Sequence, residues 1–596
     1  MNRGCLSVTD KDFEDLINKW LHEVEVEDSN FDDEEAVGSG SEAEQEEEMV
    51  PENVQPDLPE YDAETLTSSD DDIPLSHLRS RNAGEFYHSI NNTKWSKTPL
   101  PHIRRQAQDI NIRIPSARGA AREADTPLRC FELYFDDSIF TLLVENTNKY
   151  IEGIKAKFER ERDARSTDLL EIRAFVGMLV MIGVSKGGRR NLKDFWDNSK
   201  GTGVECIYCM LSQNRFRFLL RCLRFDDSST RIIRREQDRL APVRHFVEHF
   251  IGNCRKYYLP SEMLTLDEQL VGFRGRCGFI VYIPIKPDKF GIKIYMLADT
   301  KYPYIYNFEI YAGKQPEGPF NLSNKVVDVT KRLISPIFDY KCNVTMDNYF
   351  TNLNTSLELL SKKITTVGTM KANRPEIPAV FKANRSRRTN SSIFGFQKDA
   401  TLVSYVPKPS KSVILLSTKH HNDAIDVDTG EKRKPEIVTF YNNTKWGVDI
   451  VDKMCKQYSV MRNSRRWPLT LFFNMTNIAG INALVINQIN SFPQKIVRRE
   501  FLSTVAFDLM KPYMLCRMSI THIPKSIRTR IGLLLNIPED PIIPETDKRG
   551  RVGHCYACGR SKNKSTRKWC KRCNKWACNA HLVNICLTCH ETNSNN

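Results

Sequence analysis

Hydrophobic residues along this chain fall into three regimes. In residues 1–125 no periodicity lasts, because Pro, Ser and Asn break each stretch, and the region ends in an Arg-rich part from Arg104 to Arg122. From Cys130 the spacing changes: Phe131, Leu133, Phe135, Ile139, Leu142 and Leu143 recur at helical intervals. Leu169–Val184 and Arg215–Leu223 continue in the same way, so residues 126–262 predict a helical domain rich in Arg and Lys. Strand chemistry follows. Met263–Leu266 is a short apolar run ending at Asp267, and Gly278–Ile285, Ile292–Ala298 and Tyr304–Tyr311 are β-rich segments separated by Pro and Gly, like a meander. Ser323–Ile334 predicts a helix, Cys342–Met346 a strand ending at Asp347, Leu353–Leu360 a helix and Ile364–Gly368 a strand. Residues 374–435 are polar and β-like and read as an insertion, after which Thr444–Tyr458 predicts a helix bearing Asp449 and Asp452.

This order is that of a ribonuclease-H-like α/β core, spanning 263–373 and 436–458, interrupted before its final helix. A basic linker over 537–551 and a cysteine-rich module over 552–591 complete a multidomain α+β chain.

Composition sharpens the picture. At 596 residues the chain is too long for one core. No run of 18 apolar residues exists, so no membrane partner is expected. Met1 to Trp20 is charged and has no signal-peptide core, so the 17 cysteines are expected as reduced thiols in cytosol or nucleus. Cys206 and Cys209 form a lone CxxC that reads as core packing. Between Trp20 and Leu78 stand 21 Asp or Glu and no Lys or Arg. Taking these from the total of 74 leaves 53 acids against 87 basic residues elsewhere. Residues 1–125, which hold this acidic block, are expected to be disordered, and the basic remainder calls for a polyanion partner.

The last forty-odd residues carry the densest ligand pattern. Cys555-x2-Cys558, Cys570-x2-Cys573, Cys578-x2-His581 and Cys586-x2-Cys589 form four pairs, enough for two tetrahedral Zn²⁺ ions. Short gaps after Cys573 and His581 argue for a cross-brace: Cys555, Cys558, Cys578 and His581 on one ion, Cys570, Cys573, Cys586 and Cys589 on the other. A disulfide-stapled module is the weaker alternative. Ubiquitin ligases, histone-tail readers and DNA-binding modules all use such double sites. Lys548–Lys575 holds eleven Lys or Arg and no acid, among them Arg567, Lys568, Lys571 and Arg572, which favours nucleic acid over a basic histone tail. Nuclear import is a possible second use of that stretch.

The acids form a second constellation. Ends of neighbouring strands converge on one sheet edge, so Asp267 and Asp347 can face each other, and Asp449 and Asp452 share one helix face. Clustered carboxylates repel unless cations occupy the site, and hard oxygen ligands select Mg²⁺ or Mn²⁺, two of which can drive phosphodiester chemistry. A lone strand-end Asp is more often a turn residue, and acids three apart on a helix are more often solvated. What sets Asp449 and Asp452 apart is their apolar company of Val448, Ile450 and Val451.

The strings Leu-Thr-Leu-Asp267-Glu-Gln-Leu, Gly272-Phe-Arg274-Gly-Arg276-Cys277, Lys289-Phe-Gly-Ile-Lys293-Ile294, Asp347-Asn-Tyr-Phe-Thr351, Gly447-Val-Asp-Ile-Val-Asp452 and Arg465-Arg466-Trp467-Pro468 resemble those of piggyBac-family DNA transposases. The resemblance covers roughly residues 126 to 590. It implies a metal-binding triad at Asp267, Asp347 and Asp449 with a fourth acid at Asp452, all intact. It further implies a nuclear homodimer that nicks transposon ends, forms and opens hairpins, and integrates at TTAA sites. A helical dimerisation and DNA-binding domain, residues 126–262 and 459–536, is interleaved with the core, and the zinc module binds terminal inverted repeats. Arg274, Arg276, Lys293, Arg465, Arg466 and Trp467 are expected to touch DNA. Tyr349 stands where the family often has Trp, and Trp446 where relatives often carry a small residue. Two other classes compete: a domesticated DNA-binding protein without chemistry, and a ubiquitin ligase or histone reader built on the zinc module.

Overall fold

The computed structural model describes residues 85–100, 113–186, 190–199, 201–284, 286–491, 496–520, 522–537, 551–558, 564–570, 575–583 and 585–586. The chain divides into two compact units, Met1–Arg517 and Met518–Asn596.

The strands of the first unit are β1 (Phe86–His88), β2 (Lys94–Ser96), β3 (Ser116–Ala117), β4 (Tyr258–Leu259), β5 (Met263–Gly272), β6 (Ile280–Tyr282) and β7 (Phe290–Asp299). They continue with β8 (Ile305–Ile310), β9 (Asn343–Met346), β10 (Thr365–Thr369), β11 (Ser392–Phe396), β12 (Thr401–Lys408) and β13 (Lys411–Ser417). All but β3 and β4 join one mixed sheet in the order β1-β2-β11-β12-β13-β10-β9-β5-β7-β6, with β8 also on β7. Strands β5, β7 and β8 run as an antiparallel meander, while β9 and β10 lie parallel to β5. The succession along the chain of four strands, a helix, a strand, a helix and a strand is the one read from the sequence.

Helices of nine residues or more are α1 (Asp137–Ile154), α2 (Leu169–Val184), α3 (Gln213–Cys222), α4 (Arg244–Lys256), α5 (Val326–Ile334) and α6 (Leu353–Ser361). After these come α7 (Glu436–Thr444), α8 (Gly447–Gln457), α9 (Trp467–Asn490), α10 (Arg498–Met518) and, in the second unit, α11 (Lys525–Leu534). Side-chain caps start several of them: Asp136 accepts from Ile139 N–H, Asp168 from Glu171 N–H, Ser212 from Arg215 N–H. Helices α5 and α6 supply the crossovers that parallel strands β9 and β10 require.

Both faces of β5 and β7 are covered, so most positions along them are buried instead of alternating. Helix α9 lies beneath them. It is long and apolar enough to cross a membrane, with mean hydropathy 1.5 over its best window, yet that whole window is buried in the fold. Phe472 packs among Phe135, Phe225 and Phe246. The helix's Asn side chains tie it to the sheet: Asn474 donates to Gln269 Oε1 at 2.7 Å, and Asn482 donates to Ile305 O at 3.0 Å.

Four differences from the sequence pattern matter. Glu85–Ser96, in the region expected to be disordered, holds a hairpin that extends the sheet through a Ser96–Phe396 pair. Of that region, residues 1–84 and 101–112 lie outside the described residues. Strands β11 to β13, within the stretch expected as an insertion, continue the same sheet through β13 on β10. The helix expected over 444–458 is found as α8, and a further helix, α7, precedes it across a break at Lys445–Trp446. Finally, β5 does not end at Asp267 but runs five residues further, to Gly272. Cys206 and Cys209 are buried, as expected of packing residues.

Candidate active site and metal centres

Asp267 stands mid-strand, and what ends beside it is its neighbour. Strand β9 accompanies β5 only to the Leu266–Met346 pair, and Asp347 is the first residue beyond. There the chain turns: Tyr349 N–H donates to Asp347 Oδ1 at 2.9 Å, and Thr351 Oγ1 donates to Asp347 O at 2.7 Å. Gly368 on β10 permits this approach, since a Cβ there would fall 2.1 Å from Thr351 Oγ1. On the flank that β9 has left, Glu268 N–H donates to Asp267 Oδ1 at 2.7 Å.

Asp449 arrives on the first turn of α8. Two threonines anchor that segment, for Thr265 Oγ1 donates to Thr444 O and Thr345 Oγ1 lies 2.7 Å from Thr444 Oγ1. Gly447 lets the helix start close to the sheet, because its Cβ position is 3.1 Å from Thr265 Oγ1. A cleft of about 230 Å³ results, lined by Asp267, Asp347 and Asp449 together with Tyr441 and Lys445.

Oxygens of Asp267, Glu268 and Asp347 all lie within 4.8 Å of one another. Burial, then the Glu268 charge and then that of Asp347, push the Asp267 carboxyl up to about 7. Burial and Glu268 also raise Asp347 to about 6, against the pull of the Tyr349 and Phe350 N–H groups and Lys293. Close, hard oxygen donors that resist ionising together are what a divalent oxygen-loving cation stabilises, so these residues fit Mg²⁺ or Mn²⁺.

Asp452, expected as a fourth ligand, stands one step back from the cleft. Its Oδ1 accepts from Gln269 Nε2 at 3.0 Å, and its Oδ2 pairs with Lys456 at 3.3 Å. Since Gln269 Oε1 accepts from Asn474, the acid links α8 through β5 to α9.

The expected DNA contacts separate by position. Arg274 and Arg276 are exposed on the loop after β5. Lys293 sits among the acids, 3.9 Å from Glu268 Oε2 and 4.3 Å from the Tyr349 ring centre. Arg465 is exposed, while Arg466 turns inward and donates to the carbonyls of Leu220, Arg221 and Leu223 at 3.3, 2.8 and 2.6 Å. Burial, then the nearby Arg224 charge, lower its guanidinium to about 9. Arg466 thus caps the end of α3 instead of facing a ligand. Trp467 is half-buried, edge-on to Phe279 with ring centres 5.1 Å apart. Glu268, Tyr441 and Lys445 were missed. Strand alternation points Glu268 away from Asp267, and although the sequence pattern ends the β9 run at Met346, it gives no sign that β5 runs on past that point.

In the second unit, Cys555, Cys558, Cys578 and His581 come together. His581 Nδ1 is 3.5, 3.4 and 3.4 Å from the three sulfurs, and Cys558 Sγ is 3.6 Å from Cys578 Sγ. A tetrahedron with Zn–S near 2.3 Å and Zn–N near 2.0 Å has edges of about 3.5–3.8 Å, so the set fits Zn²⁺. Burial opposes a thiolate at Cys555, but backbone N–H groups and His581 outweigh it and bring the thiol to about 6. This pairs the first and third ligand pairs, as a cross-brace requires. Cys570 is buried, whereas Cys573, Cys589, Lys571, Arg572 and the Cys586 side chain lie outside the described residues. Arg567 and Lys568 are exposed.

A family model described as Transposase IS4 matches residues 126–484. A solved piggyBac transposase, in a synaptic complex with hairpin DNA, is 35% identical, with a TM-score of 0.67 over 80% of this chain and 100% of that one. The chain belongs to the piggyBac transposase family. Human PiggyBac transposable element-derived protein 2 is 21% identical over 61% of this chain, and protein 3 is 20% identical over 59%. The chain spans 62% and 60% of the length of these two relatives. Asp267, Asp347, Asp449 and Asp452 fall inside the family-model match, and the Cys/His cluster lies beyond it.

Proposed function

We propose that this protein is a cut-and-paste DNA transposase whose ribonuclease-H-like core nicks transposon ends, forms and opens hairpins, and joins the ends to TTAA sites. One observation carries the reading: in a chain of a transposase family, Asp267, Asp347 and Asp449 converge on one cleft from three separate segments.

Asp267, Asp347 and Asp449 would hold two Mg²⁺ or Mn²⁺ ions. When bound, such ions activate water and stabilise the leaving oxygen of a phosphodiester. Asp452 positions α8 through Gln269, keeping Asp449 at the cleft. Lys445 brings a cation and Tyr441 a hydroxyl to the same cleft, and Lys293 a cation to the adjoining acids. All three suit a phosphate backbone. Arg274, Arg276 and Arg465, exposed on neighbouring loops, would track the strand. Trp467, only half-buried, presents an indole on which a base freed at the hairpin stage could stack.

The cysteine-rich module would carry two Zn²⁺, the second on Cys570, Cys573, Cys586 and Cys589, and bind terminal inverted repeats. Its exposed Arg567 and Lys568 support that role. The enzyme acts as a nuclear homodimer, with helical residues 126–262 and 459–536 serving dimerisation and DNA binding. An excision assay tests the whole reading. A donor plasmid carrying the cognate ends should be cut in Mg²⁺ by the wild-type protein and not by Asp267→Ala. End binding without any strand nicking would leave a DNA-binding protein that has lost its chemistry.

A further inference from the structure

Strand alternation alone would turn Glu268 away from the active site, and its surroundings say otherwise. By alternation along β5, Asp267 and Gln269 face α8 while Glu268 points to the other side of the sheet. Beyond the Leu266–Met346 pair, however, β9 has left and Asp347 stands level with the open flank. A carboxylate on either face can lean around that edge. Glu268 does so, with an oxygen inside the same 4.8 Å group as Asp267 and Asp347.

The other details concern what Glu268 lacks. Its Oε2 is shielded from solvent and receives no hydrogen bond. A buried carboxylate oxygen without a donor is costly. The nearest cation, Lys293 Nζ, stands at 3.9 Å, outside hydrogen-bond reach, and rests over the rings of Tyr349 and Tyr295 at 4.3 and 5.0 Å. Three carboxylates therefore share one small volume, and the ammonium nearest this oxygen, that of Lys293, is too distant to donate to it.

We infer that Glu268 is a ligand of the divalent-metal site, serving with Asp347 the ion that Asp449 does not. This rests on the two-ion reading above. Asp449 lines the cleft with Asp267 and Asp347 but stands outside the close group that these two form with Glu268. The arrangement gives each of two ions its own carboxylates and one in common. Oxygen-loving cations take about six ligands, so the remaining positions fall to water and phosphate.

Mn²⁺ binding to the full-length protein, followed by electron paramagnetic resonance and calorimetry without DNA, provides the test. Wild type should bind two ions. Glu268→Gln, which keeps the shape and removes the charge, should weaken one site at least tenfold, and Asp449→Ala the other. Glu268→Asp, with the charge retained but withdrawn, should fall between wild type and Glu268→Gln. Lys293→Met should leave both sites as tight as in wild type or tighter. If Glu268→Gln binds two ions as wild type does, Glu268 is no ligand and acts only on Lys293, which overturns the inference but not the two-ion reading. If wild type itself binds fewer than two ions, both fall.

Discussion

Two regions of this protein gather metal-ligating side chains, and they stand in opposite relations to the fold. The acidic cleft is presented by an eleven-stranded sheet whose core includes the buried Leu264, Leu266, Ile292, Ile294, Val344 and Met346. That core is packed from the chain's own side chains, and the acids are a burden it tolerates. The Cys/His cluster has no such scaffold. Its strands are two residues long, Gly553–His554 with Ser565–Thr566 and Leu582–Val583 with Ile585–Cys586. Among its described residues the buried ones are Cys555, Cys570, Ala577 and Cys578. In the first region the fold creates the metal site, whereas in the second the metal would create the fold.

The largest effect should come from the second region. Cys555→Ser or Cys578→Ser removes one of four ligands from an ion whose binding contributes roughly 10–16 kcal/mol to so small a unit. Either variant should lose one zinc and all end binding, while the melting transition of the first unit stays within a degree or two. Zinc analysis, gel shift and calorimetry on one sample decide it. A module that stays folded and bound to ends without zinc would erase the contrast.

Next in size is loss of catalysis in the first region. Asp267→Ala, Asp347→Ala and Asp449→Ala should each reduce nicking by about a thousandfold or more, a loss of at least 4 kcal/mol in barrier stabilisation. End binding should persist. A variant with near wild-type cleavage in Mg²⁺ identifies a residue that is not a ligand.

The same acids give the contrast a sign. Asp267 titrates at about 7 in the fold, above the ordinary range near 4, so the folded protein holds its proton more tightly. The cost of ionising it is absent below about pH 4, grows between 4 and 7, and is complete above 7. Without divalent metal, Asp267→Asn should therefore melt above wild type at pH 8, by an amount on the order of a few kcal/mol, and match it at pH 4. Mg²⁺ should narrow the gap by stabilising wild type alone. A variant less stable at pH 8 would show that the carboxylate supports the fold.

How much of this was legible in the sequence differs between the regions for the same physical reason. The Cys and His ligands are close in sequence, so spacing alone pairs Cys555 and Cys558 with Cys578 and His581, as found. The acids come from strands and a helix far apart, and their meeting depends on register. The run ending at Asp267 suggested a strand end, but β5 continues and β9 stops. That single displacement hides Glu268 from any argument by alternation. Arg466 looked like a phosphate ligand because it follows the helix that bears Asp449, yet three backbone carbonyls of a distant turn claim it. Long-range hydrogen bonding of that kind leaves no trace in local sequence.

The smallest expected effect is at Asp452, which decides where the cleft's chemistry ends and its support begins. Here the carboxylate accepts one hydrogen bond from Gln269 and faces Lys456 at the surface. Asparagine can still accept from Gln269, so Asp452→Asn should keep nicking within about tenfold of wild type and leave Mn²⁺ stoichiometry at two. Asp452→Ala deletes the acceptor, leaves Gln269 Nε2 without its partner, and should cost about 1–2 kcal/mol in stability. Its nicking rate should fall further, because α8 and with it Asp449 lose a tether to β5. If Asp452→Asn is as inactive as Asp267→Ala and loses an ion, the residue belongs among the ligands, and the boundary between cleft and support moves one helical turn along α8.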